Sequence, residues 1–208
     1  MSKDLEFSEL MCARFCHDLA GCVGAISNSI DFLDSKNDEM RNKAIDLVKF
    51  SSSQAISRVA FFRKAYGFAS VSSELSLSEI KSLTNSFLGG EKLEIKFSNL
   101  EGSNTINANL GKLILNTALI VSTLVMHRGE MEIKIDKDFD NIEINASGGS
   151  NKISDDLLAI LEGTSQLIEK NTRNIQYFYT YAVAKSINYA IDLRSDSEGV
   201  RLTLAPKS

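Results

Sequence analysis

Apolar residues in the first third of the chain recur at alternating intervals of four and three. Between residues 5 and 34 they fall at Cys12, Cys16, Leu19, Val23, Ile26, Ile30 and Leu33. That is the seam of a long helix packed along its length, not the alternation of a strand. The polar run Asp34-Ser35-Lys36-Asn37 breaks it, and Asn37 before Asp38 and Glu39 reads as an N-cap with acids where the helix dipole favours them. A second helix reaches about Ala69, with Met40, Ala44, Leu47, Val48, Ala55, Val59, Phe62 and Ala65 keeping a looser version of the stripe. So short a connection makes the helices antiparallel. One hairpin cannot bury both its faces, so pairing of two chains into a dimeric four-helix bundle is the natural completion.

The serine-rich stretch from Ser70 to Ser78 reads as a boundary between a hairpin domain, residues 1–73, and a second domain, residues 74–208. A short helix (78–88) stopped by Gly89-Gly90 precedes a half-buried strand, Lys92 to Phe97. Residues 107–126 form an apolar helix ending in His127-Arg128-Gly129, with cations in the last turn and glycine at the C′ position. Glu130 to Asp136 and Asn141 to Asn145 alternate as a hairpin, and Ser154-Asp155-Asp156 caps a short helix. A longer aromatic helix spans Thr172 to Ile191, and Asp192 to Arg194 with Val200 to Leu204 closes the chain as a strand pair. The fold class is α+β, with helices covering one face of a mostly antiparallel sheet in an α/β sandwich.

Composition narrows the functional classes. The net charge of −4 comes from 23 basic and 27 acidic residues, so no global positive field recruits nucleic acid or an anionic membrane. The absence of a signal peptide pattern and of a long apolar run points to a cytoplasmic protein. Three cysteines, Cys12, Cys16 and Cys22, are an odd number in one segment, which suits a reducing compartment and not a disulfide framework. They read as buried small hydrophobes, with no metal site: Cys12 and Cys16 lie on the seam while His17 points about 100° away.

Two histidines carry the candidate chemistry. His127 reads as a helix-terminus residue. His17 falls outside the seam, facing solvent, and its helical neighbours Ala13, Ala20, Gly21 and Gly24 are all small. Glycines inside a helix cost about 1 kcal/mol each relative to alanine, a cost that a plain solvated face does not explain. A bare surface around one imidazole lets another protein's backbone approach closely, and the carboxylate of Asp18 can hold the tautomer that leaves one ring nitrogen free to attack. An ordinary surface histidine on a helix that tolerates glycine is the alternative. With the hairpin turn near residue 36, His17 is expected level with Gln54, Ala55 and Arg58. Between Leu47 and Ser73 stand four basic residues, Lys49, Arg58, Arg63 and Lys64, and no acid. That is either a solvated face or charge that speeds encounter with an acidic partner.

Ala13-Arg14-Phe15-Cys16-His17-Asp18-Leu19, followed by Gly24-Ala25-Ile26-Ser27-Asn28 and Ile30-Asp31-Phe32-Leu33, resembles the histidine box of the ChpT-type histidine phosphotransferases of alphaproteobacteria. Lys112-Leu113-Ile114-Leu115-Asn116 through His127-Arg128-Gly129 is similar to the long helix of their second domain. The proline that usually follows the histidine in that family is missing here, the only proline being Pro206. The resemblance implies a homodimer with a degenerate domain like the histidine-kinase ATPase. It implies His17 as phosphoacceptor, taking a phosphoryl group from the aspartate of one response-regulator receiver domain and passing it to another. Arg14 would pair with phosphoryl oxygens or an acidic rim, and Ala13, Ala20, Gly21, Gly24, Asn28, Gln54 and Arg58 would meet the partner. No resident cofactor is expected, because Mg²⁺ and the acidic pocket belong to the receiver.

An ATP-dependent kinase would need an adenine-reading aspartate and a glycine-rich phosphate loop. Asn145-Ala146-Ser147-Gly148-Gly149 has no aspartate, Tyr177 to Ala184 offers aromatic residues instead of glycines, and Asn116 alone echoes a metal-binding asparagine. The competing function from another class is a noncatalytic module that binds receivers or a kinase and regulates them.

Overall fold

The structure is a computed structural model, and it describes residues 3–68, 73–98, 105–149 and 152–207. The chain opens with two 28-residue helices, α1 (Lys3–Ile30) and α2 (Asp38–Ala65), packed as an antiparallel hairpin. Asn37 caps α2 as expected, its side chain accepting from the backbone N–H groups of Glu39 and Met40. The helix stops at Ala65, short of Ala69, which lies outside the described residues together with Ser70, Val71 and Ser72 of the expected boundary.

The seam faces α2 only in part. The stripe that packs there runs through Met11, Phe15, Leu19, Cys22 and Ser29 and shares only Leu19 with the seam; Ile26 and Leu33 are half-buried, while Cys12, Cys16, Val23 and Ile30 remain exposed and form the outward part of the seam. The helix therefore carries two adjacent apolar stripes, and one hairpin uses only the inner one. The same offset corrects the reading of the cysteines: Cys22 is buried, but Cys12 and Cys16 are exposed.

The second unit follows in the order β1 (Glu74–Ser76), α3 (Leu77–Phe87), β2 (Leu93–Ser98), β3 (Thr105–Asn107), α4 (Ala108–Leu124), β4 (Gly129–Ile135), β5 (Ile142–Ser147), α5 (Asp155–Glu162), α6 (Ile175–Ser186), β6 (Tyr189–Ser195) and β7 (Val200–Pro206). Five strands form one sheet in the order β2-β4-β5-β7-β6, antiparallel except for the β2–β4 pair. The register aligns Met131, Ile133 and Ile135 with Ala146, Ile144 and Ile142, and these with Val200, Leu202 and Leu204. All nine are buried on the face that receives α4, α5 and α6. The opposite face carries Glu130, Glu132, Lys134, Glu143, Asn145, Arg201 and Thr203, the polar half of the same alternation. β1 and β3, a small separate antiparallel pair, were not anticipated; Glu74–Ser76 sits inside the serine-rich stretch read as the domain boundary.

Two helix ends differ from expectation. α4 stops at Leu124, so His127 and Arg128 lie beyond the last turn and Gly129 opens β4. The chain leaves the helix through two left-handed residues, Met126 and His127, whose N–H groups bond back to Thr123 and Ser122. α6 is shorter than Thr172 to Ile191 because Asn188 adopts a left-handed conformation and turns the chain into β6. Among the described residues, no helix is long and apolar enough to cross a membrane.

The hairpin is joined to the second unit by specific contacts. Phe61 stacks near Phe87, Phe15 and Tyr66 pack together with Tyr66 against Tyr179, and Asn116 donates to the carbonyl of Ala65 at 2.9 Å. Lys64 pairs with Glu79 at 2.9 Å.

Candidate functional site

α1 presents three sectors. One faces α2 through Met11, Phe15 and Cys22, one is the outward seam, and the third carries His17 with Ala13, Ala20, Gly21 and Gly24. The His17 side chain is 88% exposed, and its Nδ1 lies 3.4 Å from Oδ1 of Asp18. A proton on Nδ1 shared with that carboxylate leaves Nε2 with its lone pair directed away from the protein's own acid. A Cβ added at Gly21 or Gly24 would meet nothing within 4 Å, so neither glycine is demanded by the chain's own packing. The bare face is open to something outside the chain.

Asp18 also takes Arg14, whose Nε lies 3.6 Å from its other oxygen. Arg14 is mostly buried, and its Nη1 donates to the backbone carbonyls of Thr172 and Arg173, both at 3.2 Å. The guanidinium expected to meet a phosphoryl group is therefore occupied in holding the loop before α6 against α1. That loop is stiff in itself. Asn171 Oδ1 accepts from the N–H groups of Arg173 and Asn174, Asn174 Oδ1 accepts from Asn171 N–H, and Asn174 Nδ2 donates to the Glu169 carbonyl. Sequence reasoning missed this corner; the polar cluster Asn171-Thr172-Arg173-Asn174 ahead of an aromatic helix was its only signal.

The partner-side residues on α2 divide. Arg58 reaches across to donate to the Asp18 carbonyl and lies over the Phe87 ring at 5.9 Å, so it links hairpin and second unit. Together with the Phe15–Phe62 stacking, this sets the register of the helices, with His17 level with Val59 and Ala60 along the hairpin. Gln54, half-buried, lies more than a turn beyond, and Asn28 is 11 residues along α1, about 16 Å from His17 at the helical rise. Of the four cations between Leu47 and Ser73, Arg58 and Lys64 are thus spent on internal contacts, which weakens the steering reading for this face.

Tyr66 stands behind the site. Its hydroxyl is buried with no hydrogen-bond partner among the described residues, and burial holds it well above the usual tyrosine range. Tyr179 is pushed up to about 12 for the same reason. Both stay neutral and act by packing.

The residues that echo a nucleotide site have other employment. The Asn116 amide, fully buried, donates to Ala65 and to Lys112 within its own helix. Gly148 and Gly149 have φ of +125° and +56°, and a Cβ there would strike the backbone carbonyls of Arg128 and Val125. They are glycine because two backbone segments cross. Among the described residues, no group of three or more potential metal ligands occurs. A hollow of about 400 Å³ lies on the polar face of the sheet, away from His17, and its Lys96, Glu130, Asn145 and Arg201 are engaged with one another or with neighbours.

The family described as "Histidine phosphotransferase C-terminal domain" matches residues 77–199. The chain is 25% identical over 200 residues to the protein phosphotransferase ChpT of Brucella abortus (strain 2308), covering 94% of this chain and 93% of that one. It also superposes on a solved bacterial phosphotransferase with a TM-score of 0.83 at 24% identity, covering 98% and 97% of the two chains. A second unit matched over nearly its whole length, behind a hairpin carrying one exposed histidine, places the chain in the histidine phosphotransferase family, among the ChpT-type members.

Proposed function

We propose that this chain is the shuttle of a multistep phosphorelay in which His17 accepts a phosphoryl group from a receiver-domain aspartate and returns it to the aspartate of a response regulator. Exposure of the imidazole on a face stripped of side chains carries the reading. In the accepting step, Nε2 attacks phosphorus and a P–N bond forms. The P–O bond to the donor's aspartate breaks, and its electron pair leaves with that carboxylate. The Nδ1 proton remains on the ring beside Asp18, which balances the imidazolium so formed. Donation reverses these bonds. Mg²⁺ and the acidic pocket come with the receiver, so this chain's contribution is placement of one nucleophile. Arg14 serves by fixing the Asp18 carboxylate and the neighbouring loop.

The working form is a homodimer. Val23, Ile30, Leu47, Phe50, Ile56 and Val59 are large apolar residues exposed on the hairpin, and Leu19 and Val59 also line an apolar groove of about 330 Å³ between the helices. A second hairpin laid on this surface completes a four-helix bundle and leaves the His17 sector free on its outside. The second unit acts as a docking platform without ATP turnover.

Mapping of the phosphoryl group tests the assignment. Incubation with a phosphorylated receiver is expected to place an acid-labile, alkali-stable phosphoryl group on His17 by mass spectrometry. Modification at His127 or at an aspartate would refute it.

A further inference from the structure

The corner that Arg14 ties to α1 brings a second set of charges beside the bare face. Arg14 lies three residues before His17, so its hold on the Thr172 and Arg173 carbonyls packs that backbone against the same stretch of α1 that carries the imidazole. Arg173 is exposed, and its guanidinium has no hydrogen bond or ion pair among the described residues. Lys170 sits over the Phe178 ring at 5.1 Å. From Lys170 to Ile191 the chain carries Lys170, Arg173 and Lys185 and no acid. Glu169, immediately before, is exposed and is the nearest opposing charge in the loop. The stiffening by Asn171 and Asn174 means that Arg173 is presented on a fixed turn.

We infer that this corner is the second-domain half of the docking surface, with Arg173 as the residue that positions an acidic receiver domain over His17. This rests on the phosphorelay reading above. A receiver must bring its cluster of carboxylates up to the imidazole, and on α2 the cations Arg58 and Lys64 are consumed internally. Arg173 supplies an unspent cation on the flank that α2 does not cover. Its carbonyl is anchored by Arg14 to the helix bearing the nucleophile, so the cation is held on the same side of the molecule as that helix. A planar, permanently charged guanidinium suits carboxylates on the partner's rim.

The test is single-turnover transfer from a phosphorylated receiver to the full-length chain, measured against receiver concentration. Arg173→Glu is expected to raise the half-saturating concentration by about tenfold or more while the rate at saturation changes little. Arg173→Lys should recover most of that loss. The wild type should weaken with added salt more steeply than Arg173→Glu. Lys137→Glu, in the turn between β4 and β5, makes the same charge change away from the corner and should saturate as wild type. Saturation of Arg173→Glu at the wild-type concentration would overturn the contact and leave the phosphorelay reading standing. Transfer that survives His17→Ala would bring down the phosphorelay reading itself, and this contact with it.

Discussion

In α4, thirteen of 17 residues are buried, whereas in α1 only Met11, Cys22 and Ser29 of 28 are. The two helices are built to different ends. α4 is wrapped by the sheet, α3, α6 and α2, so its threonine, serine and asparagine side chains turn back onto carbonyls of its own helix or of α2. α1 touches α2 along one stripe and leaves two sectors open, one apolar and one bare. A region that completes its core within the chain supplies rigidity, while a region left incomplete is where other molecules enter.

The largest effect is expected where the two regions join. Phe61 is fully buried among Phe62 and Phe87, and Phe61→Ala should cost about 3–5 kcal/mol, lowering the melting temperature of hairpin and second unit together. Separate transitions would show that the halves fold independently. Next comes the exposed apolar surface of α2 assigned above to the proposed dimer: replacing Phe50 and Ile56 with aspartate should raise the dissociation constant of that dimer by about a hundredfold or more, while circular dichroism retains the native helix and sheet signal. A variant that sediments as the wild type does would mean that this face of α2 is not the interface.

Smaller changes sharpen the contrast within α1 and α2. Asn37→Ala removes a cap that accepts from two N–H groups and should cost about 1 kcal/mol in chemical denaturation. Gly24→Ala should do the reverse, stabilising the helix by up to about 1 kcal/mol because its Cβ meets open space. The same substitution should slow phosphotransfer, since the missing side chain serves the partner. Gain in stability without loss of rate would remove the argument from the bare face. The slightest effect belongs to His127, whose imidazole is held below the ordinary histidine range by burial first and by the charge of Arg58 second. The unfolded chain then binds the proton more readily. Stability should rise with pH from the depressed folded value up to the ordinary value near 6.5 and fall below it. His127→Gln should flatten that slope in pH-dependent melts.

Elements with a strong period or a side-chain cap were legible in the sequence. Asn37 and Ser154 mark the starts of α2 and α5 where expected, and the alternation in Glu130 to Asp136 gave β4 and its pairing with β5. The ends of α4 and α6 were not, because they depend on Met126, His127 and Asn188 adopting left-handed conformations that their side chains do not signal. The exposure of His17 followed from its offset from the seam. The destination of Arg14 did not, since its acceptors are backbone carbonyls about 160 residues away that no pattern encodes. The two stripes on α1 show the same limit: periodicity reports that a helix has an apolar side, and tertiary packing decides which part of it the chain keeps for itself.

The central claim is that one exposed nitrogen carries the phosphoryl group between two partners. It is tested by reconstituting the relay from a phosphorylated donor receiver, this chain and an unphosphorylated response regulator, with the label followed through all three. The wild type should carry label from donor to regulator through a phosphohistidine intermediate. His17→Ala, natively folded and dimeric, should carry none. Label reaching the regulator through His17→Ala would contradict the account.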